Sequence, residues 1–119
     1  MTAIHKGDVW YVSFDPTVGS EIKKTRPAVV ISNDIANQYS AAITVLPVTE
    51  RGEKIYPFEV ELPNGQSGFS KAGKIKCQQI RIIDKSRLGR FVGVLPDRVV
   101  HSVERALCLH LDIDPSRHV

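Results

Sequence analysis

The sequence predicts a mainly β fold of the α+β type, a small β-barrel with one helix packed against it near the C-terminal end. Short apolar segments of strand composition recur along the chain and are separated by turn-forming residues. Only one segment, close to the C-terminus, has apolar residues at the spacing of a long helix. The chain has 119 residues, the usual size of one domain, so residues 1–119 are expected to form a single domain.

The first two strands are predicted at residues 9–14 and 27–32. In the first, large apolar residues occupy every second position, as on the buried face of a strand. The second is apolar without alternation, which is typical of a strand that is covered on both faces. Turn-forming residues after the first strand open a polar loop that extends to Thr25.

The rest of the chain continues this pattern. Pro47 cannot donate a ladder hydrogen bond, so its end of a strand is expected at a sheet edge or a bulge. Pro96 is expected in the first helical turn of the long helix, and Pro115 is expected to end that helix. The further elements predicted are a helical turn at 33–38, strands at 42–49, 58–62, 74–83 and 90–95, a turn at 63–65 and a loop at 68–73.

Composition excludes several classes of protein. No apolar run approaches the roughly 20 residues of a membrane-spanning helix, and the N-terminal segment lacks a signal-peptide pattern, so a cytoplasmic protein is expected. Cys77 and Cys108 lack the spacing of a metal or redox motif, so we expect reduced, buried thiols and no metal site.

Charge indicates a polyanionic partner without establishing one. There are 16 Lys and Arg against 13 Asp and Glu, a net charge of +3. Lys23, Lys24 and Arg26 form one basic cluster, and a second basic segment covers residues 71–90. Solvated loops and sheet edges also explain these charges, and composition alone slightly favours that explanation.

Six sequence motifs follow one another in order along the chain. They are GDVWYV at 7–12, DPTxGxE at 15–21, TRPAVV at 25–30, LPVT at 46–49, QIRxIDKxRL at 79–88 and VExAL at 103–107. Together they resemble the MazF/PemK family of type II toxins, and because they cover nearly the whole chain the resemblance is much more specific than any single motif. It implies an SH3-like barrel that forms a homodimer, cuts single-stranded mRNA at short sequences without a metal or cofactor, and is inhibited by a MazE-like antitoxin with an acidic tail.

Metal-free RNA cleavage uses the 2′-hydroxyl of the substrate as nucleophile, so the protein must stabilise charge on the phosphate and move two protons. Arg26 is the candidate for charge stabilisation, because a guanidinium stays ionised and can donate two hydrogen bonds to phosphate oxygens. Thr49 is its catalytic partner by the resemblance alone. The general base stays unassigned. Some relatives have an acidic residue where this chain has Gln78, which leaves Glu21 as the acidic candidate in a matched segment.

Histidine would be the natural base near neutral pH, but none of the four histidines lies in the matched catalytic segments, which disfavours a two-histidine mechanism. Candidate RNA-binding residues are Lys23, Lys24, Asn33 and Gln78. In a regular strand Gln78 and Gln79 would face opposite sides, so only one of them is expected to face the RNA.

Two alternatives retain the fold without catalysis. One is a poison of DNA gyrase that acts by protein–protein contact, as the CcdB relatives of this fold do. The other is a nucleic-acid-binding SH3-like module that uses Trp10 or Tyr11 for base stacking. A binding surface has no need of an Arg26–Thr49 pair, and both aromatic residues lie within a predicted strand, so cleavage is the preferred hypothesis.

Overall fold

The computed structural model describes residues 3–63, 65, 68–69 and 71–119. One antiparallel sheet has the strand order β4-β5-β3-β2-β1-β7, and β6 also pairs with β3. The sheet is not closed, but its strands and the helix α2 form the expected small barrel-like α+β fold. The elements are β1 Asp8–Ser13, β2 Thr25–Val30, α1 Asp34–Tyr39, β3 Ala42–Glu50, β4 Glu59–Leu62, β5 Gly73–Lys76, β6 Arg81–Asp84, β7 Leu88–Val94 and α2 Asp97–Leu111.

Strand β2 is buried on both faces, as its continuous apolar sequence predicts. Val29 belongs to a core cluster that includes residues of α2, whereas its neighbours Ala28 and Val30 belong to a second cluster on the other face. All three side chains are fully buried, and burial of a valine contributes about 1.5–3 kcal/mol. This double burial makes β2 a rigid base for the loop that precedes it.

Helix α2 packs on the sheet through Val99, Val103 and Ala106, which join the first core cluster. Pro96 is the N-cap residue, one position before the first helical turn in which it was expected. The helix ends at Leu111, four residues before Pro115, and its C-cap residue Asp112 has a left-handed backbone conformation. Within the described part of the chain, no helix is long and apolar enough to cross a membrane.

Pro47 does not lie at a sheet edge, because β3 is a central strand and Pro47 pairs with Ala28 of β2. The ladder is irregular on its other side, in agreement with the alternative of a bulge. On its other side β3 changes partner: Ala42–Val45 pair with β6, and Val48–Glu50 pair with β5. Pro47 therefore sits in the gap between the two partners, where no ladder hydrogen bond is required of it.

The prediction of a single long strand at 74–83 is wrong. The chain forms β5, leaves the ladder in a 3₁₀ turn at Cys77–Gln79, and then returns as β6. The turn lies opposite Leu46 and Pro47, which have no ladder partner on this side of β3. Because proline has no N–H to donate, the chain opposite it can leave the ladder without losing a hydrogen bond from that residue. Gln78 and Gln79 are thus turn residues, and the argument from strand alternation does not apply to them.

The other predicted strands agree with the structure within a few residues. The strand expected at 58–62 is β4, that expected at 90–95 is β7, and the helical turn at 33–38 is α1. The turn predicted at 63–65 and the loop predicted at 68–73 include Asn64 and Ser70, which lie outside the described residues.

Candidate active-site groove

An open groove with a volume of about 310 Å³ brings together residues from β1, β2, β3 and β7. The start of β2 and the end of β3 contribute Arg26 and Thr49, the two residues expected to act together. The sequence separates them by more than twenty positions, and the pairing of β2 with β3 brings them to one surface. The groove is also lined by Tyr11, Glu50, Lys71, Gly73, Arg90 and Phe91.

Arg26 is half-buried, and its backbone is held by pairing with Val12 of β1. Its Nε donates a hydrogen bond of 3.0 Å to the carbonyl oxygen of Lys23. This bond is aided by Lys24, which has a φ of 68° and so reverses the chain just before the strand. One donor thus anchors the guanidinium, and its terminal nitrogens have no hydrogen-bond partner among the described residues.

Thr49 lies near the end of β3, where it pairs with Lys74 of β5. Its hydroxyl donates to the carbonyl oxygen of Glu50 over 3.3 Å, a long bond that a phosphate oxygen can replace. Gly73 determines how closely β5 approaches here, since a Cβ at this position would lie 2.9 Å from the carbonyl oxygen of Thr49. The position of Thr49 therefore depends on a glycine across the ladder.

The other predicted site residues lie elsewhere. Glu21 and Gln78 line a second, smaller depression of about 120 Å³. The carboxylate of Glu21 accepts a hydrogen bond of 2.8 Å from the backbone N–H of Val18. Asn33 caps α1 by accepting from the N–H of Ala36 over 2.9 Å, beyond the opposite end of β2 from Arg26. The structure does not bring these residues into the groove, and their roles remain predictions.

Lys23 and Lys24 are exposed in the loop that leads into Arg26. Lys23 contributes its carbonyl oxygen to Arg26, and Lys24 contributes its own to the N–H of Phe14. Their backbone atoms thus support the loop, and their ammonium groups are available to a polyanion beside the groove.

Gln78 takes part in a buried polar network that the sequence did not predict. Its amide nitrogen donates to Glu59 over 2.7 Å, and Lys74 forms an ion pair of 3.1 Å with the same carboxylate. Burial raises the pKa of Glu59, but hydrogen bonds from the Tyr56 N–H, Gln78 and Lys74 outweigh it and leave that pKa below its usual value. The amide oxygen of Gln78 is buried and has no partner among the described residues.

The thiol of Cys77 is buried, and burial raises its pKa to about 12, so it stays protonated. No group of three His, Cys, Asp or Glu residues that could hold a metal ion is found in the part of the chain that the structure describes. Cys108, on α2, is a half-buried free thiol.

Sequence reasoning missed the wall of the groove that β7 provides. The guanidinium of Arg90 lies over the ring of Tyr11, 5.0 Å from its centroid, and Phe91 packs edge-on against Trp10 with centroids 5.4 Å apart. No local pattern in the sequence indicates these contacts, because they depend on the register between the first and the last strand.

Comparison with known proteins identifies the family. A family model described as "PemK-like, MazF-like toxin of type II toxin-antitoxin system" matches residues 5–111. The chain therefore belongs to the PemK-like, MazF-like toxin family, in agreement with the resemblance and the fold.

Its similarity to individual members extends over nearly the full length. The chain is 40% identical to endoribonuclease MazF9 of Mycobacterium tuberculosis, covering 92% of this chain and 98% of the relative. It is 37% identical to endoribonuclease EndoA of Bacillus subtilis, covering 91% and 94% respectively. Among solved structures, MazF of Deinococcus radiodurans superposes with a TM-score of 0.82 at 29% identity, covering 94% of this chain and 99% of that one. The MazE–MazF complex of the same organism gives a TM-score of 0.77 at 30% identity, with coverage of 96% and 100%.

Proposed function

We propose that this chain is the toxin of a type II toxin–antitoxin system and acts as an endoribonuclease on single-stranded mRNA, thereby inhibiting translation. Two relatives that align over nearly the whole chain are both named endoribonucleases. The observation that carries the proposal is the presence of Arg26 and Thr49 in one open groove. Residues 1–119 act as one domain in this proposal, in the cytoplasm, where mRNA is translated.

The groove supports cleavage by the 2′-hydroxyl of the RNA itself. The 2′ oxygen attacks the adjacent phosphorus, the bond to the 5′ oxygen breaks, and the products carry a 2′,3′-cyclic phosphate and a 5′-hydroxyl. Charge builds up on the phosphate oxygens, where the unoccupied terminal nitrogens of Arg26 and the hydroxyl of Thr49 can donate hydrogen bonds. No protein nucleophile and no metal takes part in this scheme.

Two carboxylates can accept the proton of the 2′-hydroxyl. Glu50 lines the groove that contains Arg26 and Thr49, whereas Glu21 lines the second depression. Glu50 is favoured as the general base because it lines the same groove as Arg26 and Thr49. Glu21 is the candidate from the matched sequence motif. Replacement of each by Gln, with measurement of the pH–rate profile, assigns the base: only loss of the true base removes the acidic limb of the profile.

The partners follow from the family and the charge. An inhibitory antitoxin similar to MazE is proposed, since MazF of Deinococcus radiodurans has been solved with MazE. A homodimer is proposed from the family resemblance and the small size of the barrel. An acidic antitoxin tail suits the basic groove that is proposed to bind RNA.

The homodimer is tested by sedimentation, which should give twice the mass of one chain. A monomer at micromolar concentration would contradict the dimer.

Gyrase poisoning is the alternative that keeps the fold. It is disfavoured because the two relatives that align over nearly the whole chain are named endoribonucleases. Base stacking by Trp10 is disfavoured, because this side chain is buried in the core.

The test incubates the purified protein with a long RNA, with and without EDTA, and in parallel with gyrase and supercoiled DNA. We expect RNA fragments with cyclic phosphate ends at an unchanged rate in EDTA, no effect on gyrase, and no cutting by Arg26→Ala. Intact RNA together with inhibited gyrase would establish the alternative, and loss of cutting in EDTA would overturn the metal-free scheme.

A further inference from the structure

We propose that Arg90, held by the ring of Tyr11, binds an RNA phosphate next to the one that is cut, and so positions the substrate without taking part in the chemistry. This inference rests on the proposed endoribonuclease function. It assigns a role to the β7 wall of the groove, which faces a different part of the substrate from Arg26 and Thr49.

The stacked geometry leaves the donors of Arg90 available. Its guanidinium lies over the Tyr11 ring at 5.0 Å, and a cation placed over an aromatic face is attracted to it. The N–H donors of a guanidinium point outward in its own plane, so contact through one face does not consume them. Tyr11 therefore restricts the motion of the side chain while its donors remain free for a phosphate.

An irregular register between β1 and β7 produces this contact. Trp10 pairs with Phe91 and Val12 pairs with Leu88, so two residues of β7, Gly89 and Arg90, stand opposite Tyr11 alone. A β-bulge of this kind redirects a side chain, and bulges are common beside active sites.

The basic segment that the sequence singled out is mostly occupied by internal contacts. Arg81 donates to the carbonyl oxygen of Phe14 at 2.9 Å, and Arg87 donates to that of Asp15 at 2.6 Å. Arg90 is exposed and has neither a hydrogen bond nor an ion pair with any other residue that the structure describes. Of these three arginines, Arg90 is the one that lines the groove that contains Arg26 and Thr49.

The charge of the groove matches a chain of phosphates. Arg26, Lys71 and Arg90 line it, against Glu50 as the acidic residue among its described lining residues. Arg26 and Thr49 are proposed to hold the phosphate that is cut, so a second guanidinium on the β7 wall suits a neighbouring phosphate. Such a contact is equally strong in the ground and transition states, and its loss raises KM with kcat unchanged.

The experiment first maps the cut sites of the wild-type protein on a long RNA. A short oligonucleotide spanning one site then serves as the substrate, and its analogue with a 2′-deoxy sugar at the cut serves as the binding probe. Loss of a hydrogen bond to a charged group costs about 1.5–3 kcal/mol, so Arg90→Ala should raise KM and Kd about tenfold or more, with kcat within about twofold. The matched control is Arg98→Ala, which removes an exposed arginine from α2, outside the groove.

Salt dependence separates phosphate binding from a structural effect. Each phosphate contact to single-stranded RNA contributes about 0.7 to the slope of log affinity against log salt concentration, so Arg90→Ala should reduce that slope by about 0.7. Arg98→Ala should leave the slope unchanged, and Arg90→Lys should retain it while weakening affinity, since the charge remains and the stacked plane is lost. Tyr11→Leu should weaken binding, because the aromatic ring that holds the Arg90 guanidinium is lost.

An unchanged KM and salt slope in folded Arg90→Ala and Arg90→Gln, with normal cutting by the wild type, would overturn this inference and leave the proposed function intact. A loss of kcat at unchanged KM would overturn it as well, because Arg90 would then act in the chemistry. If the folded wild-type protein cuts no RNA, the proposed function fails first, and the inference fails with it.

Discussion

Gly73→Ala should impair catalysis through the position of Thr49, although Gly73 itself contributes no reactive group. An added Cβ would lie 2.9 Å from the carbonyl oxygen of Thr49 and 3.3 Å from a methyl carbon of Val48, so β3 or β5 must move by about 0.5 Å to reach an ordinary contact of 3.4 Å. Overpacking of this kind costs about 1–3 kcal/mol of folding stability. A misplacement of about 1 Å costs about 100-fold in rate, so half of that displacement predicts a loss of roughly tenfold in kcat.

The assay measures kcat and KM on the mapped RNA oligonucleotide together with the midpoint of thermal denaturation. We expect kcat to fall roughly tenfold, KM to change little, and the midpoint to fall by about 4 °C or more. Gly89→Ala is the matched control, because its Cβ would meet the nearest atom at 3.5 Å, an ordinary contact. Wild-type kcat and stability in Gly73→Ala would refute the claim that this close approach positions Thr49.

Three further predictions concern the groove and the buried network. Arg26→Lys should slow cleavage by roughly a hundredfold in single-turnover kinetics, since the charge is kept but the planar fork is lost; near-normal activity would exclude Arg26 as the group that stabilises the phosphate. Thr49→Ala should slow cleavage while binding of the 2′-deoxy analogue is largely retained, and equal losses of both would make Thr49 a binding residue instead. The folded-state pKa of Glu59 lies below its ordinary value of 4.5, so its contribution to stability is present above that pH and is lost as the pH falls below it. Denaturant titrations of the wild type and Glu59→Gln should therefore show a steeper acid loss in the wild type, and parallel curves would contradict the role assigned to this carboxylate.

Only part of the site could be predicted from local sequence. A charged residue directly before a continuous apolar strand combines a free side chain with a firmly held backbone, and Arg26 has this arrangement. Thr49 was expected from the resemblance alone, and the strand pairing brings it into the same groove. Glu21 and Gln78 were expected beside them, but a turn and a buried network place them in a second depression. Whether a polar side chain faces a groove or another side chain depends on partners that local patterns do not reveal.

The sequence by itself determined most of the strands and the long helix, because alternation, helical spacing and turn residues act over a few neighbouring positions. The resemblance of its motifs indicated the family. Tertiary structure alone decided the features that depend on register between distant segments. The gap in the ladder at Pro47 divides one predicted strand into two, and the bulge opposite Tyr11 places Arg90 over its ring. Both follow from backbone hydrogen bonding across the sheet, where a shift of one residue changes which side chains meet. The groove exists only when that register is formed.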